Sequence, residues 1–223
     1  MNDIPAPAHR WHSAFGKKQA NILVVDDSRT NRSVLARRLE QQGHRVANAE
    51  NGRQALDMLA TQPFDLVLLD VMMPELDGYE VLAQLKASET LHDIPVIMIS
   101  AVDEIDSVVK CIELGAEDYL PKPFDPVLLR ARINACLEKK FLRDQEIQYL
   151  QQVNRVTAAV AEVETGTFDP ASLDNVAARE DALGKLARMF QRMAQEVSAR
   201  EARLKQQLEA LTIRIDEAKK TAK

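Results

Sequence analysis

The sequence has few cysteines, few aromatic residues and no long apolar run. Its two cysteines, Cys111 and Cys136, are too few for a disulfide framework or a four-ligand zinc site. Both lie in helix-like segments, where a small buried side chain is expected. No apolar run approaches the roughly 20 residues that a membrane-spanning helix needs, and residues 1–20 lack the apolar core of a signal peptide. We therefore predict a cytoplasmic protein without disulfides, a zinc site or membrane insertion.

A concentrated positive charge is also missing. The formal net charge is -5, and the acidic excess lies in residues 21–140, which carry 20 acidic and 13 basic residues. Residues 141–223 carry 13 of each sign, so they offer no basic face to a phosphate backbone. No helix-turn-helix pattern with a short glycine turn is present either. These absences predict that nucleic acid is not a partner and argue against a DNA-binding regulator.

Residues 21–140 alternate short apolar runs with amphipathic segments. The runs are typical of strands that are covered on both faces, and glycines and prolines bound the amphipathic segments between them. Such alternation gives βαβ units, so we predict an α/β fold with a doubly wound, five-stranded parallel sheet. The predicted strands are 22–25, 45–48, 65–69, 95–99 and 118–120, and the predicted helices lie near 30–42, 52–61, 77–87, 104–114 and 126–139.

Polar side chains follow the carboxyl ends of these strands, where ligands of open α/β sheets collect. The first strand ends in Asp26 and Asp27, the third in Asp70 and the fourth in Ser100, while Lys122 follows the fifth. Clustered carboxylates repel one another unless a cation lies among them, and oxygen ligands with room for water suit Mg²⁺. A lysine and a hydroxyl beside the metal match the oxygens of a phosphoryl group. Each residue alone is more simply a turn, a cap or a solvated charge, but their common position predicts a phosphoryl acceptor.

These residues lie within four motifs, which read ILVVDDS, FDLVLLDVMMPELDGYEVL, IPVIMISA and GAEDYLPKPF. With them, residues 21 to about 138 resemble a receiver domain of bacterial two-component response regulators. The resemblance implies a flavodoxin-like fold, a sensor histidine kinase as partner, and Asp70 as the phosphorylated aspartate.

The same resemblance implies roles for the neighbouring residues. Asp26 and Asp27 would hold Mg²⁺ directly or through water, and Met72 would add its backbone carbonyl. Ser100 and Lys122 would bind the phosphoryl oxygens. Tyr119 would be the aromatic switch that turns inward when Ser100 moves. Asp118 and Arg132 are candidates for salt bridges between two receivers.

The last third of the chain is predicted to be helical, without a hydrophobic core of its own. Residues 127–165 and 185–223 contain neither glycine nor proline, and each run of 39 residues would extend roughly 58 Å as a helix. Both runs carry apolar stripes typical of coiled coils. In the second stripe, Arg200 occupies one position, and an extra four-residue step resembles a stutter. The stripes are Ile147, Leu150, Val153, Val156, Val160 and Val163, then Leu186, Phe190, Met193, Val197, Leu204, Leu208, Leu211 and Ile215.

Between these runs, GTFDPASLDNVAAREDALGKLARMFQRM resembles the connector and second helix of a HAMP signalling module, a parallel four-helix bundle. Ala182, Gln191 and the position of Leu173 depart from that pattern. The alternative is an ordinary helical hairpin with a capped turn at Asp169 and Pro170. The matching residues are Gly166, Phe168, Asp181, Leu183, Gly184, Leu186, Phe190 and Met193.

We predict three regions: a disordered tail at 1–20, a receiver domain at 21–140, and a HAMP-like, coiled-coil region at 141–223 that forms a homodimer. The expected function is a phosphorylation switch that acts on an unknown output protein. No phosphate-binding loop or nucleophile elbow is present, so the chain is predicted not to be an enzyme. The alternative is the regulatory portion of a nucleotide cyclase or another signalling enzyme whose catalytic domain is absent from this chain. The last helix stops without a glycine or proline, as expected if more chain follows.

Overall fold

The computed structural model describes residues 19–101, 105–123 and 125–221. The predicted disordered tail at 1–20 therefore lies almost wholly outside the described residues. The chain divides into two compact units, of which the first ends at Arg143 and the second begins at Asp144. Among the described residues, none of the helices combines the length and apolar composition that crossing a bilayer requires.

The first unit contains the predicted five-stranded parallel sheet, so the α/β prediction is confirmed. Its strand order is β2-β1-β3-β4-β5, and all four neighbouring pairs are parallel. In the register, Asp70 lies opposite Ile99 and Ser100 lies opposite Pro121. The carboxyl ends of β3, β4 and β5 therefore meet at one edge. The strands are β1 (Asn21–Val25), β2 (Arg45–Ala49), β3 (Leu66–Asp70), β4 (Val96–Ser100) and β5 (Asp118–Pro121).

The central strands are apolar because the sheet is covered on both faces. All five residues of β3 and of β4 are buried. Successive side chains of a strand point to opposite faces. Thus Val67 and Leu69 pack into one apolar cluster with α2, α3 and α4, and Leu66 and Leu68 pack into the other with α1 and α5. The helices are α1 (Arg29–Gln41), α2 (Gly52–Thr61), α3 (Gly78–Ala87), α4 (Ile105–Glu113), α5 (Pro126–Thr165), α6 (Asp174–Ala177) and α7 (Ala182–Thr221).

Polar side chains fix where the first three helices begin. Ser28, Asn51 and Asp77 occupy the N-cap positions, and each accepts a hydrogen bond from a backbone N–H of the first turn. Asp77 forms a complete capping box with Glu80. N-caps satisfy backbone donors that have no partner within the helix. They therefore fix the residue at which each helix begins and the length of the loop that joins it to the preceding strand.

The second unit contains the C-terminal part of α5 and the whole of α7, the two predicted long helices. α5 ends before Gly166, which has a φ of +71°, the left-handed conformation that commonly terminates helices. The expectation that this region lacks a core of its own is wrong, because its helices and connector enclose a small apolar cluster. Phe168 and Phe190 meet edge to face in it, with ring centroids 5.4 Å apart. The buried members are Val156, Ala159, Leu173, Val176, Leu183, Ala187 and Phe190.

Candidate functional site

The strand ends bring three predicted site residues into a buried polar group. Asp26 directly follows β1, and Asp70 and Ser100 are the last residues of β3 and β4. Their exposed fractions are 1%, 5% and 0%. Charged groups are rarely buried this deeply without a partner, so the sheet edge is built around their interactions.

Lys122 joins the two buried aspartates. Its Nζ lies 2.8 Å from Asp26 Oδ2 and 2.8 Å from Asp70 Oδ2. Burial lowers the pKa of Lys122, but the hydrogen bonds to the two carboxylates outweigh this effect and raise the pKa above its ordinary value. For Asp70, burial raises the pKa, and the hydrogen bond from Lys122 only partly offsets that shift. The ionised form of Asp70 is thus less stable in the folded protein than in water.

The site residues fit a divalent cation. Carboxylate oxygens from Asp26, Asp27 and Asp70 all lie within 4.8 Å of one another. Asp27 is exposed, so one side of the cluster faces solvent. Three hard oxygen donors beside open space suit a metal that keeps several water ligands, as Mg²⁺ does. Met72 lies beside this cluster, where its backbone N–H is 3.4 Å from Asp70 Oδ1.

The two predicted switch residues occupy neighbouring strands. The Ser100 backbone carbonyl accepts a hydrogen bond of 2.6 Å from the Lys122 N–H, so the backbones of these two site residues are joined directly. Tyr119 is half-buried and packs against the apolar cluster on the α2, α3 and α4 face. An exchange between Ser100 and Tyr119 stays a prediction.

Asp118 and Arg132, the candidates for contacts between receivers, pair with each other within one chain. Arg132 Nη1 donates to both carboxylate oxygens of Asp118, at 2.7 and 2.9 Å. For these residues to bridge two copies, this internal pair would have to open or be shared. Their role in a dimer stays a prediction.

Sequence reasoning missed three residues that hold the β1–α1 turn. The Asp26 carboxylate accepts hydrogen bonds from the Ser28 N–H and from the Asn31 side chain, and Arg32 donates to the carbonyls of Asp26 and Asp27. Asn31 is the third residue after the N-cap, a position from which side chains reach back over the helix start. That spacing is the signal that could have identified it.

The turn after Asp70 depends on a glycine at the start of α3. A Cβ added to Gly78 would lie 2.2 Å from the Asp70 carbonyl oxygen and 2.8 Å from Val71 Cα. Both neighbours are backbone atoms, so a side chain here must displace the loop that carries Asp70.

We therefore expect Gly78→Ala to destabilise the first unit by about 3 kcal/mol, at the upper end of the usual overpacking penalty. The matched control is Gly43→Ala, because Gly43 has a φ of +93° and nothing within 4 Å of its added Cβ. That control should cost only about 1 kcal/mol of left-handed strain. Urea denaturation of both variants measures the difference. Equal losses would show that the close approach to Asp70 is not what requires glycine.

Curated relatives cover the first part of the chain. The chain is 40% identical over 145 residues to the "Probable transcriptional regulator ycf27" of Cyanidium caldarium, which covers 65% of this chain and 57% of that protein. It is 47% identical over 118 residues to the "Response regulator MprA" of Mycolicibacterium vanbaalenii, covering 53% of this chain and 50% of that protein. The chain thus spans about half the length of the curated relatives it matches.

Solved structures agree with the fold of the first unit. The receiver domain of a signal transduction histidine kinase from Syntrophus aciditrophicus is 36% identical, with a TM-score of 0.51 over 54% of this chain and 91% of that one. The receiver domain of the Francisella response regulator 1452 is 30% identical, with a TM-score of 0.51 over 54% and 98%. The family model of the response regulator receiver domain matches residues 22–134, and the chain belongs to that family.

Proposed function

We propose that this chain is a response regulator that accepts a phosphoryl group on Asp70 from a sensor histidine kinase. One observation carries the proposal above all others: the Lys122 ammonium lies 2.8 Å from both Asp26 and Asp70 at the edge of the sheet. It is a cation held beside the acceptor, ready to contact the oxygens of an incoming phosphoryl group.

In the proposed transfer, a carboxylate oxygen of Asp70 forms a bond to phosphorus while the bond from phosphorus to the kinase histidine nitrogen breaks. The released histidine keeps the electron pair and takes up a proton. Lys122 and the Ser100 hydroxyl bind the transferred oxygens. When bound by Asp26, Asp27, Asp70 and the Met72 carbonyl, Mg²⁺ supplies electrostatic stabilisation of the phosphoryl charge. Because the phosphoryl group stays on the protein, the chain acts as a switch and not as an enzyme on a separate substrate.

Incubation with acetyl phosphate tests this function without knowledge of the kinase. Intact-mass measurement should show one added phosphoryl group when Mg²⁺ is present and none when it is chelated. The adduct should be stable in acid and labile in base, as expected for an acyl phosphate. Equal labelling with and without Mg²⁺ would contradict the proposed site.

We also propose that the helical extension forms a homodimer through α7. Residues 195–215 of this helix are exposed, yet they carry an apolar stripe that includes Leu204, Leu208 and Leu211, each 50–63% exposed. Contiguous apolar surface of this kind favours a partner. A second copy of the chain would present the same apolar stripe. Residues 141–223 carry equal numbers of basic and acidic residues, so net charge does not oppose the pairing of two copies.

The proposed relation to HAMP modules rests on the connector between α5 and α7. A Cβ on Gly184 would lie 2.1 Å from the Arg179 carbonyl oxygen, so the connector approaches α7 where only glycine fits. Asp181 accepts the Gly184 N–H at 3.1 Å, and the Arg179 guanidinium beside it lowers the Asp181 pKa to about 2. These contacts give structural roles to two residues of the HAMP-like pattern.

The lifetime of the phosphorylated state depends on the residue beside the acceptor. Met72 is 63% exposed, and its thioether is too weak an acceptor to orient an attacking water. Val102, two residues after Ser100, lies outside the described residues, so the test is made at Met72.

We expect Met72→Asn to speed the loss of phosphate about tenfold, because an amide can hold a water near phosphorus but supplies no general base. Met72→Leu, which keeps an apolar side chain of similar size, should decay like the wild type. Quench-flow or mass measurements after donor removal give the rates. Identical decay in all three proteins would rule out control by this side chain.

A further inference from the structure

The Asp26 carboxylate is surrounded by hydrogen-bond donors. Oδ1 accepts from the Ser28 N–H at 2.8 Å and from Asn31 Nδ2 at 3.1 Å. Oδ2 accepts from the same Asn31 nitrogen at 3.1 Å and from Lys122 Nζ at 2.8 Å. A carboxylate offers about four acceptor positions, and these contacts come from only three donor groups because one Asn31 nitrogen is shared by both oxygens, so Asp26 keeps room for a metal ion or its water.

Asn31 differs from the other donors because its side chain contacts both oxygens. A donor placed between two carboxylate oxygens fixes the rotation of the carboxylate plane, whereas a contact to one oxygen leaves that rotation freer. The side chain itself is held by its place in the first turn of α1, after the Ser28 N-cap. The adjacent Arg32 Nη1 donates to the Asp26 carbonyl at 2.7 Å and to the Asp27 carbonyl at 2.9 Å. Asn31 thus holds the Asp26 side chain, and the next residue, Arg32, holds the backbone carbonyls of Asp26 and Asp27.

Lys122 cannot serve as a permanent anchor for Asp26. It is shared with Asp70, and the proposed transfer gives it new oxygens to bind on the phosphoryl group. When Lys122 shifts toward the phosphoryl oxygens, Asp26 Oδ2 loses its hydrogen bond from Lys122. The Asn31 side chain still donates to both oxygens of Asp26. The role of Asn31 is therefore to keep Asp26 oriented in both states of the receiver.

We propose that Asn31 is a positioning residue that orients the Asp26 carboxylate toward the divalent cation. The inference rests on the proposed function, since it concerns the same Mg²⁺ site. Side chains that hold a metal-binding group without touching the metal typically change metal affinity 10- to 100-fold when removed. For Asn31 we expect an effect at the lower end of this range, because Ser28 and Lys122 still donate hydrogen bonds to Asp26 when Asn31 is removed.

The test is Mg²⁺ binding to the full chain, measured by isothermal titration calorimetry. Asn31→Leu keeps the size of the side chain and removes the donor, and it should weaken Mg²⁺ binding about tenfold. The control is Thr30→Leu, which introduces leucine at the exposed neighbouring position of α1. This variant should bind Mg²⁺ like the wild type. If leucine at position 31 prevents folding, Asn31→Ala replaces it with the same expectation.

A double-mutant cycle separates positioning from a general effect on α1. In an Asp26→Asn background, Asn31→Leu should change Mg²⁺ affinity less than twofold, because the group it orients has been altered. A tenfold loss in both backgrounds would overturn the inference, and so would equal binding by the wild type and Asn31→Leu. A wild type that binds no Mg²⁺ at millimolar concentration would overturn the proposed function itself, and with it this role of Asn31.

Discussion

Asp70→Asn should abolish phosphoryl incorporation from acetyl phosphate and from the kinase alike. An amide has no anionic oxygen to attack phosphorus, so the loss should exceed about 100-fold. The fold should persist, because asparagine keeps the size of aspartate and Lys122 retains its contact with Asp26. Intact-mass measurement of the labelled protein gives the extent of incorporation.

Asp65→Asn is the matched control for that substitution. Asp65 lies just before the opposite end of the same strand, where its carboxylate accepts the Asn21 N–H at 2.8 Å. An asparagine oxygen can accept the same bond, so labelling should be normal. If Asp70→Asn continued to take up phosphate in a Mg²⁺-dependent manner, the acceptor assignment would be wrong.

Asp70→Asn should also make the metal-free protein more stable at neutral pH. Burial raises the Asp70 pKa above its ordinary value of 3.8, and the nearby Asp26 charge adds to that shift while Lys122 opposes it. A raised pKa in the folded state means that ionised Asp70 costs stability above that pKa. The advantage of Asp70→Asn in urea denaturation should therefore shrink as the pH falls through the folded pKa toward 3.8.

The second large effect is expected from truncation after Arg143, which should convert a dimer into a mostly monomeric receiver. The cut keeps the contact in which Arg143 Nη2 donates to the Asp93 carbonyl at 2.7 Å, so the first unit retains its own interactions. The exposed Asp118–Arg132 pair is the sort that contributes below about 1 kcal/mol. Most of the association should therefore come from the apolar stripes of the extension. Sedimentation velocity measures both species.

A substitution in the full chain tests the stripe directly. Leu208→Lys places a charge on the apolar face of α7 and should dissociate the dimer, whereas Gln207→Lys adds the same charge at the next residue and should leave it intact. A truncated receiver that dimerised as tightly as the full chain would locate the interface in the first unit instead.

The sequence predicted the sheet because β3 and β4 are continuous apolar runs that end in a polar residue. Such runs are short and covered on both faces, so few other structures accommodate them. Asp26, Asp70 and Lys122 could be placed together because parallel strands share an edge. Their burial and the double contact of Lys122 could not be read from spacing, since they depend on side-chain packing between strands distant in the chain.

Contacts within turns were harder to predict. The Asn31 contact with Asp26 depends on the N-cap position of Ser28, and hydrophobic periodicity alone does not locate the first turn of a helix that accurately. From the sequence, Gly78 reads only as a turn residue at the start of a helix, whereas the reason for glycine there is the close approach of the Asp70 carbonyl. The extension was misjudged in one respect, because its small apolar cluster combines α5, the connector and α7, and which side chains meet there depends on how these three segments pack.

Signal transfer from Asp70 should change how the helices of the dimer pack, with little change in helix content. A phosphoryl group shifts a two-state equilibrium only by its differential affinity for the two states, typically a few kcal/mol, which is too little to melt helices of this length but sufficient to choose between two packings. Val156 is unsuitable as a label position, because it is buried in the apolar cluster of the extension. Exposed Asn154 and Lys205 are suitable instead.

The most direct test is the distance between spin labels at Asn154→Cys, and separately at Lys205→Cys, across the two copies of the dimer. Cys111 and Cys136 are buried, and burial raises the pKa of both thiols, that of Cys136 to about 11, so the introduced cysteines should react selectively. Acetyl phosphate with Mg²⁺ should shift the distances in the otherwise wild-type protein and leave them unchanged in Asp70→Asn, while circular dichroism stays constant. Identical distances before and after phosphorylation, in an intact dimer, would contradict transmission through the helices.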